Sequence, residues 1–240
     1  MLSPDELTDS AQPARGMARA ARHTVLRRVA PALKHDMVVH LQSVALAAET
    51  LSARVERGAA GPGELQASLS KLNRLAREAV ASCVKVASWI DAPDDASVPL
   101  RQGVQECLAL LAPNFNFRGF TLSHHVADDT FEVNQSALRH LLVASLLAMA
   151  DAAALPCELV VEGRIEDGHA TLHLHGKPRG QQPQAALPAA SEAGARPAVH
   201  WAEVQALAAA EGIRLARSGD AVHMRLARAV VTSPLQMAPV

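Results

Sequence analysis

Apolar residues recur every three or four positions along two long stretches in the first half of the chain. The first run comprises Leu33, Met37, Leu41, Val44, Ala48, Leu51 and Val55. The second run comprises Leu65, Leu69, Leu72, Ala76, Ala79, Cys83, Val86 and Ile90. This spacing is typical of α-helices that bury one apolar stripe, and the glycine- and proline-rich segment 58–63 between the runs predicts a compact turn. We therefore predict that residues 31–91 form an antiparallel helical hairpin.

The amphipathic pattern implies that the hairpin has a partner. Two helices of this length bury only one stripe each within a single hairpin, so the remaining apolar surface must be covered by something else. A homodimer in which two hairpins form a four-helix bundle is the economical solution. The alternative is that the apolar seam packs against the C-terminal domain of the same chain.

The residues before the hairpin, 1–30, are polar and basic. After a polar, proline-containing segment that ends near Gln12, a helix is predicted from about Ala14 to Val29. The arginines of this helix are Arg15, Arg19, Arg22, Arg27 and Arg28. Pro31 suits the first turn of the following helix or a kink. We expect the basic face to be solvated, and contact with a membrane surface or an acidic partner is the alternative.

The pattern changes after an acidic, proline-bearing linker at Asp91–Ser97. Helical and strand-like periods then alternate through residues 97–230. Helices are predicted near 101–112, 135–153 and 199–211, and strands near 121–126, 130–133, 158–165, 169–175, 213–217 and 221–227. This order predicts an α+β sandwich with one sheet and helices on one of its faces. Residues 177–197, rich in Gly, Pro, Gln and Ala, predict a mobile loop.

Charge, aromatic content and cysteines narrow the classes of function. The chain has 23 basic and 24 acidic residues, so no net field draws it to nucleic acid or acidic lipid. Only 2% of its residues are aromatic, which leaves few platforms for stacking bases. The three cysteines lack zinc-site spacing and disulfide-scaffold density, which suits a reducing compartment. With no apolar run of roughly 20 residues and no signal-peptide pattern, we expect a cytoplasmic protein without a membrane span.

One segment of the first hairpin helix resembles a known motif. It reads Lys34-His35-Asp36-Met37-Val38-Val39-His40-Leu41. This is similar to the H-box of bacterial sensor histidine kinases, in which a phosphoacceptor histidine is followed by an acidic residue and, a few positions on, by Pro-Leu. His40 stands where that family usually has proline, which should straighten or strengthen the helix below the acceptor. The order of elements after residue 97 also looks like the family's ATP-binding domain, and Leu138–Asp151 resembles the helix that carries its N-box.

The parts of that domain that hold the nucleotide are missing from this sequence. Ala144 and Ala148 occupy the N-box positions where such kinases place asparagine, one of which binds the nucleotide-bound magnesium, and a methyl group cannot bind a metal. The segment His175–Gly180 stands where the family's adenine-reading Asp-x-Gly-x-Gly motif should follow, and it has no suitable carboxylate. Gly180 and Gly194 are isolated, so a glycine-rich lid over phosphates is missing as well. We therefore expect that neither ATP nor magnesium is bound.

The resemblance implies a dimeric histidine phosphotransferase derived from a sensor histidine kinase, with a degenerate ATP-binding-like domain. In such a protein His35, on the outward face relative to the apolar seam, is the phosphoacceptor, and Asp36 orients its ring or takes its proton. The residues expected to contact the partner are Lys34, Val38, Val39 and Gln42. The phosphoryl group would be exchanged with aspartates of response-regulator receiver domains, and a hybrid histidine kinase is a further candidate partner.

Two other functions stay open on the sequence alone. A pseudokinase scaffold would bind a receiver or a kinase without chemistry, and His35 would then be incidental. An active kinase would use divergent nucleotide ligands.

The remaining histidines raise the question of a metal site. His124 and His125 are adjacent, and His169, His173 and His175 alternate so that they share one face of a predicted strand. No cysteine or carboxylate partner is evident near them. We therefore expect surface histidines and no metal site.

Overall fold

The computed structural model describes residues 4–58, 61–91, 93, 95–127, 130–178 and 197–229, with side chains of the first helix described from residue 14 onward. The chain divides into two compact units. One unit spans Val29–Ala92, and the other combines Met1–Arg28 with Pro93–Val240. The loop predicted at 177–197 lies almost entirely outside the described residues.

The first helix, α1, runs without a break over Pro4–Glu56. Its N-terminal part belongs to the same unit as the C-terminal half of the chain and buries Ala18, Ala21 and Val25, each at most 2% exposed. The helix therefore continues through Pro31, where the sequence predicted a first turn or a kink, while the division between the two compact units, at Arg28 and Val29, lies close to the predicted start of the hairpin at residue 31. A proline inside a helix removes one backbone hydrogen bond, and the bonds on either side continue the helix past it.

The second helix, α2, spans Pro62–Ile90 and begins with favourable capping features. Gly61 is its N-cap residue, and Glu64 places a negative charge at the positive end of the helix dipole. Near the other end of α2, the Nζ atom of Lys85 lies 3.9 Å from Oδ2 of Asp36 on α1. This contact pairs the start of the hairpin with its end, so the predicted antiparallel helical hairpin is confirmed.

The hairpin leaves much of its predicted apolar seam exposed. Leu41 on α1 is 48% exposed, and Leu69 and Ile90 on α2 are 51% and 69% exposed. Val80 and Val84, one helical turn apart on α2, are each 63% exposed. Contiguous patches of exposed apolar side chains are typical of interaction surfaces. Within the described part of the chain, no helix is long and apolar enough to cross a bilayer.

The remaining elements form an α+β sandwich, which confirms the predicted fold class. Its helices are α3 (Leu100–Phe117), α4 (Gln135–Ala152) and α5 (Trp201–Ala210). Its strands are β1 (Ser97–Pro99), β2 (Thr121–Val126), β3 (Glu132–Asn134), β4 (Glu158–Glu166), β5 (His169–Lys177), β6 (Arg214–Ser218) and β7 (Ala221–Ala227). The larger sheet has the order β2-β4-β5-β7-β6, with β2 parallel to β4 and the other pairs antiparallel. Strands β1 and β3 form a separate antiparallel pair.

Burial alternates along β5 and distinguishes the two faces of the larger sheet. The buried residues of this strand are Ala170, Leu172 and Leu174. They belong to the core, together with the buried apolar residues of α3, α4 and α5. The intervening His173 and His175 therefore lie on the opposite, outward face. The turn from β4 to β5 uses Asp167 (φ 51°) and Gly168 (φ 71°), the left-handed conformations that a two-residue hairpin turn needs.

Candidate functional site

His35 lies on α1 with its side chain exposed to solvent. A helix turns by about 100° per residue, so residues 35, 39, 42 and 46 fall in one line along its surface. All four residues, His35, Val39, Gln42 and Leu46, are exposed, and Leu46 reaches 65%. We call this line the His35 face. It contains three of the residues predicted from the sequence and adds Leu46, which continues the same helical spacing and was not predicted.

The other two residues expected to contact a partner lie to one side of the His35 face. Lys34 is exposed and Val38 is half-buried. At about 100° per residue, Val38 is turned away from His35 by about a sixth of a turn and Lys34 by somewhat more than a quarter of a turn, in the same direction. The structure therefore groups Val39 and Gln42 closely with His35 and places Lys34 and Val38 on its flank.

Asp36, the acidic residue that follows His35, faces Lys85 of α2. Oδ2 of Asp36 lies 3.9 Å from Nζ of Lys85, and the two side chains are 47% and 37% exposed. An ion pair at this distance and exposure contributes little to stability. Lys85 is not among the site residues predicted from the sequence. In an antiparallel hairpin, residues at equal distances from the turn come close together, so counting outward from the turn at 58–63 could have paired Lys85 with Asp36.

A groove of about 640 Å³ runs between α1 and α2 on the turn side of His35. The α1 residues that line it include Leu46, Ala47 and Thr50, and the α2 residues include Ser68 and Lys71. Leu46 belongs to both the groove and the His35 face. The groove therefore meets the His35 face at Leu46, about three helical turns from the imidazole.

Asp151, at the C-terminal end of α4, joins three separate segments of the α+β unit. Arg28 of α1 donates two hydrogen bonds to its carboxylate, at 2.8 and 3.1 Å. The guanidinium of Arg118 lies 3.0 Å from it, and the backbone N–H of Val199 donates to it at 3.2 Å. The side chains of Arg28 and Asp151 are only 6% and 12% exposed. The carboxylate therefore ties the first part of α1 and the segment before α5 to α4.

The side chains of two α4 residues, Asp151 and His140, have pKa values that are lowered in the folded chain. Burial alone would raise the pKa of Asp151, but the Arg28 hydrogen bonds and charge, the Val199 N–H and the Arg118 charge together hold it below its ordinary value. The pKa of His140 is lowered, first by burial and then by the positive charge of Arg22, while Glu211 acts in the opposite direction.

The two alanines in the N-box-like segment are packed into α4. Ala144 is fully buried and Ala148 is 7% exposed. The nearby cavity, lined in part by Ala148, Asp151 and Trp201, encloses about 150 Å³. Pockets for small molecules typically enclose roughly 300–1,000 Å³. This cavity is therefore small for a nucleotide.

The histidines of β5 have a carboxylate neighbour that the sequence did not reveal. The β4–β5 register places Glu162 opposite His173. Its carboxylate oxygens lie 3.8 Å from Nδ1 of His173 and 4.0 Å from Nε2 of His175. The expectation that no carboxylate lies near these histidines is therefore wrong, because strand pairing brings together residues that are distant in sequence.

Comparisons with known proteins give structural likeness only, since no protein-family model and no curated protein matches this sequence. The histidine kinase AdeS of Acinetobacter baumannii is 10% identical, with 80% of this chain and 98% of that chain covered at a TM-score of 0.40. A structure described as a bacterial phosphotransferase is 13% identical, with 84% and 95% covered at a TM-score of 0.37. A histidine kinase of Burkholderia phymatum is 16% identical, with 80% and 97% covered at a TM-score of 0.38. Likeness at these values carries no conclusion about the chemistry of this chain.

Proposed function

We propose that this chain is a histidine phosphotransfer protein of a bacterial two-component phosphorelay. His35 accepts a phosphoryl group from the aspartate of one receiver domain and donates it to the aspartate of another. The observation that carries the proposal is the His35 face, in which an exposed imidazole is followed by exposed Val39, Gln42 and Leu46 along α1. A visiting protein can reach the ring, and the adjoining groove and apolar side chains offer a surface for docking. The H-box resemblance of residues 34–41 supports the same role.

The transfer needs no cofactor held by this chain. The unprotonated ring nitrogen of His35 attacks the phosphorus of an aspartyl phosphate, and a nitrogen–phosphorus bond forms. The bond from phosphorus to the aspartyl oxygen breaks, and its electron pair leaves with the receiver carboxylate. The proton on the other ring nitrogen passes to Asp36 or to water. The second transfer reverses these steps, with the carboxylate of another receiver as the nucleophile, and any magnesium required is held by the receiver.

The proposal includes no bound ATP. Ala144 and Ala148 offer methyl groups where a metal ligand would be needed. Asp151, one turn further along α4, already engages Arg28 and Arg118. The small cavity beside these residues also supports this part of the proposal.

Phosphotransfer from a labelled receiver tests the proposal directly. Each receiver domain of the source organism is labelled with radioactive acetyl phosphate, freed of excess label and mixed with the full chain. We expect label that is stable in base and labile in acid to appear on this chain, as is typical of a phosphoramidate. His35→Gln should abolish it, whereas His23→Gln, which changes another exposed histidine on α1, should retain it.

Three other outcomes would contradict parts of the proposal. Label that survives in His35→Gln would place the acceptor elsewhere. Receiver binding without transfer would favour a pseudokinase scaffold, a function to which the engagement of Asp36 by Lys85 gives some support. Label acquired from radioactive ATP and magnesium alone would refute the loss of nucleotide binding.

A further inference from the structure

The outward face of the five-stranded sheet carries a row of ionisable side chains at one level. Strand pairing aligns His125 of β2 with Glu162 of β4, Glu162 with His173 of β5, and His173 with His223 of β7. His175 follows His173 by two residues and therefore lies on the same face. Side chains from three adjacent strands of the larger sheet thus meet beside Glu162 and His173.

We propose that Glu162, His173 and His175 form a binding site for a divalent transition-metal ion of the zinc class. One ligand atom from each of the three residues can be chosen so that all lie within 4.8 Å of one another. Two imidazole nitrogens and a carboxylate oxygen are ligands that zinc prefers, whereas magnesium and calcium favour oxygen ligands. Three protein ligands leave a fourth position of a tetrahedral ion for water.

The separations within the cluster fit an ion better than direct hydrogen bonds. The carboxylate oxygens of Glu162 lie 3.8 and 4.0 Å from the nearest imidazole nitrogens, beyond hydrogen-bond distance. Zinc–ligand bonds of about 2.0–2.1 Å in tetrahedral geometry put two ligand atoms roughly 3.3 Å apart. Small side-chain rotations would therefore bring the three ligand atoms around one ion.

The strands and neighbouring rings hold the ligands in position. Strands β4 and β5 are interior to the sheet, with β2 and β7 on either side. Glu162 and His173 are therefore paired with residues on both neighbouring strands, and His175 is paired with Val160 of β4. The ring of His173 stacks on His175 at a centroid distance of 4.9 Å and on His223 at 4.3 Å. A site whose ligands are already grouped needs little reorganisation when the ion binds.

The site is independent of the proposed phosphotransfer. Its residues lie on β4 and β5, whereas His35 lies on α1 in the other compact unit. Its donor set also differs from the oxygen ligands expected for nucleotide-bound magnesium. Metal binding can therefore be measured without any receiver domain.

Titration of the metal-free full chain with zinc chloride, followed by calorimetry, tests this site. We expect one zinc ion per chain at this cluster. Cobalt substitution should give a visible absorption spectrum typical of four- or five-coordinate nitrogen and oxygen ligation. We expect zinc binding to weaken by roughly tenfold or more in each of three variants, His173→Ala, His175→Ala and Glu162→Gln. Removing a residue that only supports a metal ligand already costs about that much affinity, and these residues are the proposed ligands themselves.

The matched control is His169→Ala, which removes a histidine from the same face of β5 outside the cluster. It should bind zinc as the parent chain does. Circular dichroism of each variant checks that the sheet is intact, and Glu162→Gln changes the charge with almost no change in shape. Zinc binding that is equal in the parent and all three ligand variants, or no binding by the parent, would overturn the proposal.

Discussion

Asp151 shows how a single buried carboxylate can connect segments that are far apart in the sequence. It receives hydrogen bonds from Arg28 near the middle of α1 and from the backbone before α5, and it also faces Arg118. A buried charge is tolerated only when its partners compensate for the loss of water. The contacts of Asp151 supply that compensation, so removing the charge leaves Arg28 buried without its counter-ion.

Asp151→Asn should lower the free energy of unfolding by about 3 kcal/mol, the cost typical of breaking a buried ion pair. Urea unfolding followed by far-ultraviolet circular dichroism measures the change. The control is Glu78→Gln, which breaks the exposed pair with Arg74 and should cost less than about 0.5 kcal/mol. Equal losses in the two variants would show that the Asp151 pair does not stabilise the fold.

His140 predicts how stability depends on pH near neutrality. Its pKa is lowered in the folded chain. Between the lowered pKa and the ordinary histidine pKa of about 6.5, the unfolded chain therefore binds more protons than the folded chain does. Stability should therefore rise with pH through this window and fall on acidification. The Asp151 pKa is also lowered, but its contribution is complete above about pH 3.9 and is lost only at lower pH.

The measurement is the urea midpoint at several pH values between about 5 and 7.5. His140→Gln should reduce the fall in the midpoint on acidification, and His124, whose pKa is also lowered, should account for part of what remains. His23→Gln, an exposed change on α1, should leave the profile as it is. A profile unaltered by His140→Gln would contradict the assignment.

At the scale of elements, the second hairpin helix presents an apolar row that the described residues leave exposed. The row, which we call the α2 stripe, consists of Leu69, Ala76, Val80, Cys83, Ala87 and Ile90. After Ala76 it follows the alternating four- and three-residue spacing of a helix seam. All of its members except the half-buried Ala76 are exposed. We expect two copies of the chain to pack these stripes together as a four-helix bundle.

Val80→Glu should weaken that dimer by roughly tenfold or more, since burying an unpaired carboxylate costs well over the 1.4 kcal/mol that each factor of ten represents. Light scattering after size-exclusion chromatography, run over a series of concentrations, measures the shift towards monomer. Ala81→Glu adds the same charge one residue further along, at an exposed position outside the stripe, and should leave the dimer intact. A parent chain that is monomeric at all concentrations would rule out this mode of assembly.

The elements also show which features could be predicted from the sequence. The β4–β5 hairpin was evident because alternating residues flank a turn with Gly168. Strand β1 is not predicted by the sequence, because three residues are too few to show a period and its pairing with β3 is a long-range contact. Only its first residue, Ser97, falls in the predicted linker. Glu162 and Lys85 were missed as site residues for a related reason. Periodicity assigns a residue to a face, but only strand or helix pairing determines which residues meet across elements.

At the scale of the whole molecule, α1 belongs to both compact units. Its first part buries Ala21 at 0% exposure, and Arg22 pairs with Glu211 at 2.6 Å. Two of the arginines expected to be solvated, Arg22 and Arg28, therefore form ion pairs within the α+β unit. Residues 14–28 of α1 are therefore an integral layer of that unit.

Ala21→Glu should lower the stability of the α+β unit by roughly 3 kcal/mol or more, because the position is fully buried. The matched control, Ala20→Glu, adds the same charge at the adjacent exposed position and should change stability by less than about 0.5 kcal/mol. A Trp89→Phe background leaves Trp201 of α5 as the single tryptophan, so urea unfolding followed by its fluorescence reports this unit. If Ala21→Glu lowered stability as little as the control does, the first part of α1 would be dispensable for the stability of this unit.

The packing of Ala144 and Ala148 bears on whether the proposed loss of ATP binding could be reversed in evolution. Placing asparagine at both positions would insert two amide groups where methyl groups are now nearly or fully buried. Such overpacking typically costs about 1–3 kcal/mol per site, and the nearby cavity would still be small. A chain with only one of the two changes would lose stability, while the other position would still offer a methyl group. On the proposed function, the close packing of these two alanines therefore opposes any evolutionary return to ATP binding by single substitutions.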